Sequence, residues 1–295
     1  MENIKEHCEE PLQIIPTEKL RDLLQILETE LPQTLYVHGI LLNVIMRRQI
    51  SGKPSRTKIY APHGNFQDGS FVSITRETDT RNGICFFSLD PLATRVENAL
   101  KKTSIIDWSS NEVSNNFDGI CDKFLPIVER IRSSKNLKKT YEIKLVNVWM
   151  KREDALTMNV ECPPELRIDY LSPKNAKQIN DSWPFKFPDS ETYIRKMVES
   201  NFGLGLYLRD SNELIGWAIF SYYSGMASLH TLQSHRNKGF AKLMCNAMAK
   251  HSAEIGIDPR AIIWVDNKPS RSLFSKLGFN TCGCTNNIEL EPIEN

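Results

Sequence analysis

Ser234-His235-Arg236-Asn237-Lys238-Gly239-Phe240-Ala241 is the stretch on which the fold turns. Before it, Met226–Gln233 reads as a strand. After it, Phe240, Leu243, Met244, Ala247, Met248 and Ile255 fall on one face of a long helix. A strand that passes through a glycine turn into a helix leaves several backbone N–H groups free at the helix N-terminus, which makes a site for an anion such as a pyrophosphate. Gly239 has no side chain to hold a phosphate away, and Ala241 is small at the next crowded position. Arg236 and Lys238 add positive charge. The turn does not end in G-K-[ST] and lacks G-x-G-x-x-G, so it is neither a P-loop nor a dinucleotide fingerprint.

Around this turn the C-terminal half can be ordered. Glu165–Leu171 reads as a strand, followed by helices over Pro173–Ser182 and Ser190–Asn201 that flank the aromatic loop Trp183-Pro184-Phe185-Lys186-Phe187. Leu204–Arg209, Leu214–Tyr223 and Met226–Gln233 form an antiparallel meander across the turns Asp210-Ser211-Asn212 and Ser224-Gly225. Beyond the long helix come a compact apolar strand, Ala261–Val265, a helix over Ser270–Leu277 stopped by Gly278, and a last strand, Thr281–Leu290. The order β-α-α-β-β-β-α-β-α-β predicts an α/β domain with a mixed sheet.

A second segment lies about thirty residues further on, the length of a helix plus a strand. It runs Trp264-Val265-Asp266-Asn267-Lys268-Pro269-Ser270-Arg271-Ser272-Leu273-Phe274-Ser275-Lys276-Leu277-Gly278-Phe279, with Asn267 placed to cap its helix. Together the two segments resemble the acyl-CoA-binding core of the GNAT superfamily of N-acyltransferases. The superfamily's R/Q-x-x-G-x-G/A is met by Arg236, Gly239 and Ala241. Its N-x-x-A-x-x-L-Y-x-K-x-G-F is met by Asn267, Leu273, Lys276, Gly278 and Phe279, with Ser270 in place of Ala and Phe274 in place of Tyr. Within the superfamily, His230-Thr231-Leu232-Gln233-Ser234-His235-Arg236-Asn237-Lys238-Gly239 is similar to the strand and loop of the glycine N-acyltransferase-like group, in particular its invertebrate members. The motif resemblance covers 189–279.

The resemblance implies a reaction, the transfer of an acyl group from acyl-CoA or acetyl-CoA, a co-substrate and not a resident cofactor, to a small amine, glycine or another amino acid. It implies that the strands Met226–Gln233 and Ala261–Val265 splay to admit the pantetheine arm. Backbone groups near His230, Thr231 and Leu232 would pair with that arm, and Asn237, Lys238, Gly239, Phe240 and Ala241 would hold the diphosphate. Asn267, Ser270 and Phe274 complete the expected cofactor site. A backbone N–H would stabilise the oxyanion, an effect of ~2.7–4 kcal/mol for a comparable donor. Two departures stand out. Phe274 cannot protonate the leaving thiolate, and Ser224-Gly225-Met226 offers no carboxylate where vertebrate relatives carry a Glu base. His230 titrates in the range of a base, with Tyr222 and Tyr223 as other substitutes. Lys186 and Arg195 are candidates to receive an acceptor carboxylate. Trp183, Phe185, Tyr222 and Tyr223 are candidates to line an apolar pocket. Two other functions stay open: a non-catalytic acyl-CoA-binding or interaction protein, and an acetyltransferase acting on protein or polyamine amines.

The N-terminal half is read with less detail. Helices are expected over Leu20, Leu23, Leu24 and Leu27 and over Leu35–Arg48, with strands at Thr57–Ala61, Ser70–Thr75, Ile84–Leu89 and Ile105–Trp108. Leu92–Leu100 and Phe117–Arg132 are expected as helices, 132–136 as a polar linker, and Tyr141–Met150 as a strand. A boundary near 150 then separates an N-terminal domain, 1–150, from an acyl-CoA-binding domain, 151–295. By resemblance, the former is a degenerate copy of the latter.

Composition narrows the remaining choices. With 40% hydrophobic and 25% charged residues and a net charge of +1, the 295-residue chain has no field to draw it to nucleic acid or an anionic membrane. No apolar run nears the ~20 residues of a membrane span. Seven scattered cysteines fit free thiols in a reducing compartment, and Cys282-Gly283-Cys284 reads as small residues in a strand, with no metal site. Met1-Glu2-Asn3-Ile4-Lys5-Glu6 resembles no leader, so the cytoplasm is expected, with the mitochondrion of vertebrate relatives as the alternative. Oligomeric state is left open.

Overall fold

In the computed structural model, residues 9–51 and 55–293 are described. Met1–Glu6, on which the leader reading rests, and Cys8 lie outside them. In chain order the first half contains β1 (Leu12–Ile14), α1 (Leu20–Glu28), α2 (Leu35–Ser51), β2 (Thr57–Pro62), β3 (Phe71–Arg76) and β4 (Arg81–Phe87). It continues with α3 (Thr94–Lys102), β5 (Ser114–Cys121), α4 (Leu125–Ser134) and β6 (Leu137–Trp149). The second half has α5 (Arg152–Leu156), β7 (Leu166–Tyr170), α6 (Ala176–Ser182), α7 (Ser190–Ser200), β8 (Gly203–Leu208) and β9 (Leu214–Phe220). It ends with β10 (Met226–Thr231), α8 (Phe240–Glu254), β11 (Arg260–Trp264), α9 (Lys268–Lys276) and β12 (Asn280–Pro292).

The chain divides into two compact units that are not contiguous in sequence. The first holds residues 9–29, 56–142 and 286–293; the second holds 30–55 and 143–285. The passage between Glu142 and Ile143 falls near the boundary expected at 150, but the exchange of two segments has no counterpart in that expectation. β6 and β12 are each divided between the units.

In the first unit the strands run β1-β2-β3-β4-β5 and are followed by the end of β12. β2, β3 and β4 form an antiparallel meander, and β4 pairs parallel with β5 from Arg81↔Ser114 to Ile84↔Phe117. Phe71, Ile84, Phe86, Phe117, Phe124 and Val128 lie in its core, with the Phe86 and Phe117 rings edge to face at 5.8 Å. Two expectations fail here. Phe117–Arg132 is not one helix: β5 runs to Cys121, and α4 begins only at Leu125. The six residues Asn115–Ile120 are all buried, as in a strand covered on both faces. The run buries Asn115, Asn116 and Asp118 and shows no apolar alternation, while Phe117 and Ile120 fall in helical step with Phe124, Ile127, Val128 and Ile131, which produces the helical reading. Ile105–Trp108 forms bends and no strand. Trp108 instead fills the core beside Phe117, its indole N–H donating to the Leu100 carbonyl.

In the second unit the order is β6-β11-β10-β9-β8-β7. β8, β9 and β10 are antiparallel, as the sequence predicts, β7 pairs antiparallel with β8, and β11 pairs antiparallel with β6 at five positions, Arg260↔Trp149 to Trp264↔Leu145. Helix α8 packs Met244, Cys245, Ala247 and Met248 on one face of the sheet against Val146, Val148, Leu206, Ile215 and Ile263. On the other face α6 and α7 bring Ile179, Ile194 and Met197 against Trp217 and Ile219. Helix α2 belongs to this unit. Tyr36 stacks on Tyr223 at 5.2 Å, and the buried Arg260 donates to the Leu35 carbonyl.

Candidate active site

β10 and β11 are parallel neighbours, yet they are in register at a single position, Met226↔Ala261. Beyond it the strands separate, because β10 carries a bulge. Its register with β9 shifts between Ala227 and His230, and Ser228 takes φ 51°. A bulge adds a residue on one strand and bends it away from a straight neighbour. The gap is a cleft of ≈ 220 Å³. Met226 to His230 line one side, Ala261 to Trp264 the other, and Trp183, Pro184 and Phe185 of the α6–α7 loop close over it. Asn267, Ser270 and Phe274 line the end formed by α9.

Where β10 ends, the chain turns through Asn237 at φ 64° and Gly239 at φ 81° into α8. Residues 236–239 are exposed, and a Cβ built on Gly239 would meet nothing within 4 Å. The main-chain N–H groups of Asn237, Lys238 and Gly239 donate no hydrogen bond among the described residues. The first turn of α8 has no acidic side chain to answer the positive end of the helix dipole. Arg236 is tethered by its Nε, which donates to the Thr231 carbonyl at 3.2 Å. The turn is thus an open cradle of donors and positive charge.

The sequence-predicted residues divide between these two places. His230, Asn267, Ser270 and Phe274 share the cleft, and Arg236, Asn237, Lys238, Gly239, Phe240 and Ala241 form the cradle. Thr231 and Leu232 connect them; the Leu232 N–H is spent on Ile215 O, and the buried Thr231 Oγ1 has no partner among the described residues. Asn267 caps α9, accepting from the Ser270 N–H at 3.1 Å. Phe274 is buried edge-on to Phe279.

His230 is half-buried and stacks on Trp217, its cross-strand neighbour, with the rings 4.7 Å apart and 20° from parallel. Burial, then the charge of Arg236, hold its imidazole below the ordinary histidine value. Tyr222 and Tyr223 do not line the cleft. The Tyr223 hydroxyl is buried and donates to the Met226 carbonyl, and that of Tyr222 lies 3.2 Å from the Tyr36 hydroxyl. Arg195 is paired with Glu191, while Lys186 is exposed beside Phe185. Trp183 and Phe185 do line the cleft, as expected. The sequence reading missed Trp217, Ser228 and Trp264. Ser228 leaves no mark in the sequence, because a bulge is fixed by pairing across strands. Trp264 at the end of an apolar strand was the available signal: it stays 42% exposed and meets Phe185 edge to face.

Residues 203–287 match the family model described as FR47-like protein, and residues 11–126 match one described as a domain of unknown function (DUF5645). No curated protein matches the chain. A crystal structure of a Drosophila protein is similar over 96% of this chain and 99% of its own, at 25% identity and a TM-score of 0.86. A tandem GNAT protein from the clavulanic acid biosynthesis pathway aligns over 96% and 99%, at 12% identity and a TM-score of 0.54. The fold is a mixed α/β GNAT fold of the tandem kind.

Proposed function

We propose that the protein transfers an acyl group from acyl-CoA to the amine of a small acceptor, glycine or another amino acid. The observation that carries this reading is the pairing of β10 with β11 at one position only, directly ahead of the main-chain N–H groups of Asn237 to Gly239, which donate no hydrogen bond among the described residues. A strand edge with free amides suits a pantetheine arm, and the cradle suits a diphosphate. In this reading the diphosphate rests on the amides of Asn237 to Ala241 and near Arg236 and Lys238. The pantetheine follows His230, Thr231 and Leu232, and the thioester reaches the cleft beside Ser270 and Phe274. Proximity of thioester and amine supplies much of the rate, and His230 takes a proton from the amine.

An acceptor with a carboxylate is favoured over a polyamine, since no acidic side chain lines the cleft among the described residues. We assign the first unit as a degenerate copy that does not hold CoA. The six described cysteines are free thiols, which supports a reducing compartment such as the cytoplasm. No described helix is long and apolar enough to cross a membrane.

The experiment is release of free thiol from acetyl-, medium-chain and aryl-CoA with glycine, other amino acids, a polyamine and a lysine peptide as acceptors. Turnover with amino acids alone is the expected outcome. CoA binding with no thiol released from any pair would instead favour the non-catalytic reading, which draws on the apolar, buried Phe274.

A further inference from the structure

Aminolysis of a thioester moves one proton out of the attacking amine and one onto the departing sulfur. This cleft is poor in groups that could do either. Among the described residues that line it, His230 alone exchanges protons near neutrality. Phe274 is hydrocarbon, and the two tyrosines are committed elsewhere. The lining serines, Ser182, Ser228 and Ser270, do not carry a net proton at neutral pH.

The imidazole is also placed where a carrier must be. His230 lines the cleft, its ring stacked on Trp217 with no hydrogen bond to its nitrogens among the described residues. Arg236 is the charged group that acts on it; β9, β11, α9 and the α6–α7 loop present uncharged side chains to the cleft. An arginine nearby disfavours a standing imidazolium, so a proton received there is readily given up.

Building on the acyl-transfer reading, we propose that His230 carries both protons, taking one from the amine and returning it to the sulfur. The amine lone pair forms the C–N bond while the carbonyl pair moves to oxygen. Imidazole accepts the N–H proton. The oxyanion then re-forms the carbonyl, the C–S bond breaks with its electron pair on sulfur, and the imidazolium proton passes to that sulfur. Amide and free CoA thiol leave, and imidazole is regenerated.

The test compares wild type with His230→Gln on two donors carrying the same acyl group: the CoA thioester and the selenoester of seleno-CoA. A selenol is far more acidic than a thiol and leaves without a proton. Amide is measured by mass spectrometry and CoA affinity by calorimetry. The expected result is a fall in kcat of roughly 100-fold or more on the thioester, a CoA affinity unchanged within about twofold, and a deficit at least about tenfold smaller on the selenoester. Equal deficits on both donors would overturn the return step and leave His230 a base only. Undiminished kcat in the variant would overturn any proton role while leaving acyl transfer intact. A wild type that forms no amide from any donor would overturn the acyl-transfer reading and the carrier with it.

Discussion

The two units each contain a parallel strand pair joined by a helix, and they use it in opposite ways. In the first, β4 and β5 stay in register over four positions, Arg81 to Ile84, so the pair is closed. In the second, β10 and β11 meet at one. The helix starts differ in the same sense. Before α3, the Asp90 carboxylate accepts from the Leu92 N–H, Glu97 stands in the first turn, and Arg95 is spent on Asp68 and two carbonyls. Before α8 there is no acid in the first turn, and the loop amides donate to nothing among the described residues. One plan thus gives a closed, self-neutralised layer in one place and parted strands with an open turn in the other. The difference lies in a bulge and a few side chains, not in the order of elements.

The comparison breaks first if the halves can be parted. A fragment of residues 151–295 lacks the part of β6 that pairs with β11 and places Val146 and Val148 in the core, and it lacks α2. Each buried aliphatic side chain contributes about 1.5–3 kcal/mol, against a total stability of about 5–15 kcal/mol. The fragment is expected to show no cooperative thermal unfolding in circular dichroism. A folded fragment would mean that the second unit needs nothing from the first half of the chain.

Next in size is the cradle. Gly239→Glu forces a side chain to φ 81° and sets a carboxylate where the proposed function puts the diphosphate. CoA affinity is expected to fall roughly 100-fold, about 2.7 kcal/mol, by calorimetry. Gly239→Asn, which tolerates the left-handed region, should lose far less. Unfolding is expected to change little, since the new Cβ meets nothing within 4 Å.

The insertion of α2 into the second unit has its own signature. His38 is buried beside Arg260 Nη1, and burial, then that charge, push its imidazole down to about 3. Unfolded, it titrates near 6.5. Between these values the unfolded chain holds the extra proton, so stability falls as pH falls below about 6.5, with a slope of up to ~1.4 kcal/mol per pH unit. Urea midpoints at pH 7 and 5 should differ in wild type, and His38→Gln should flatten that difference.

The smallest effect sharpens the contrast. Asp90→Ala removes the carboxylate ahead of α3 and should cost about 1 kcal/mol of stability. It should confer no CoA binding on the first unit in a Gly239→Glu background, because β4 and β5 remain closed. Binding restored there would show that the acid, and not the strand register, keeps the first unit empty.

Much of the second unit was legible in advance. The meander, the long helix and the cap at Asn267 all came from local signals: period two, period 3.6, and an Asn before Pro269 and Ser270. The first unit was harder. In β5, Asp118 and Gly119 separate Phe117 from Ile120, so Phe117–Cys121 carries no alternation to mark it as a strand. Three residues of β1 and five of α5 are too short to show any period. Of the candidate site, the local backbone was legible: Gly239 stands at the turn into α8 and Asn267 caps α9. The base candidates were not separable, since Tyr222, Tyr223 and His230 lie on adjacent stretches and only their hydroxyl and ring partners sort them.

The sequence by itself determined the C-terminal element order, the glycine turn with its positive charge, and the absence of a hydroxyl at Phe274, because each depends on residues close together in the chain. Only the tertiary structure decided which unit α2, β6 and β12 serve, that β10 bulges at Ser228 and parts from β11, and that His230 faces the cleft stacked on Trp217. Those features depend on which strands pair and in what register, which is settled by contacts between residues far apart in sequence.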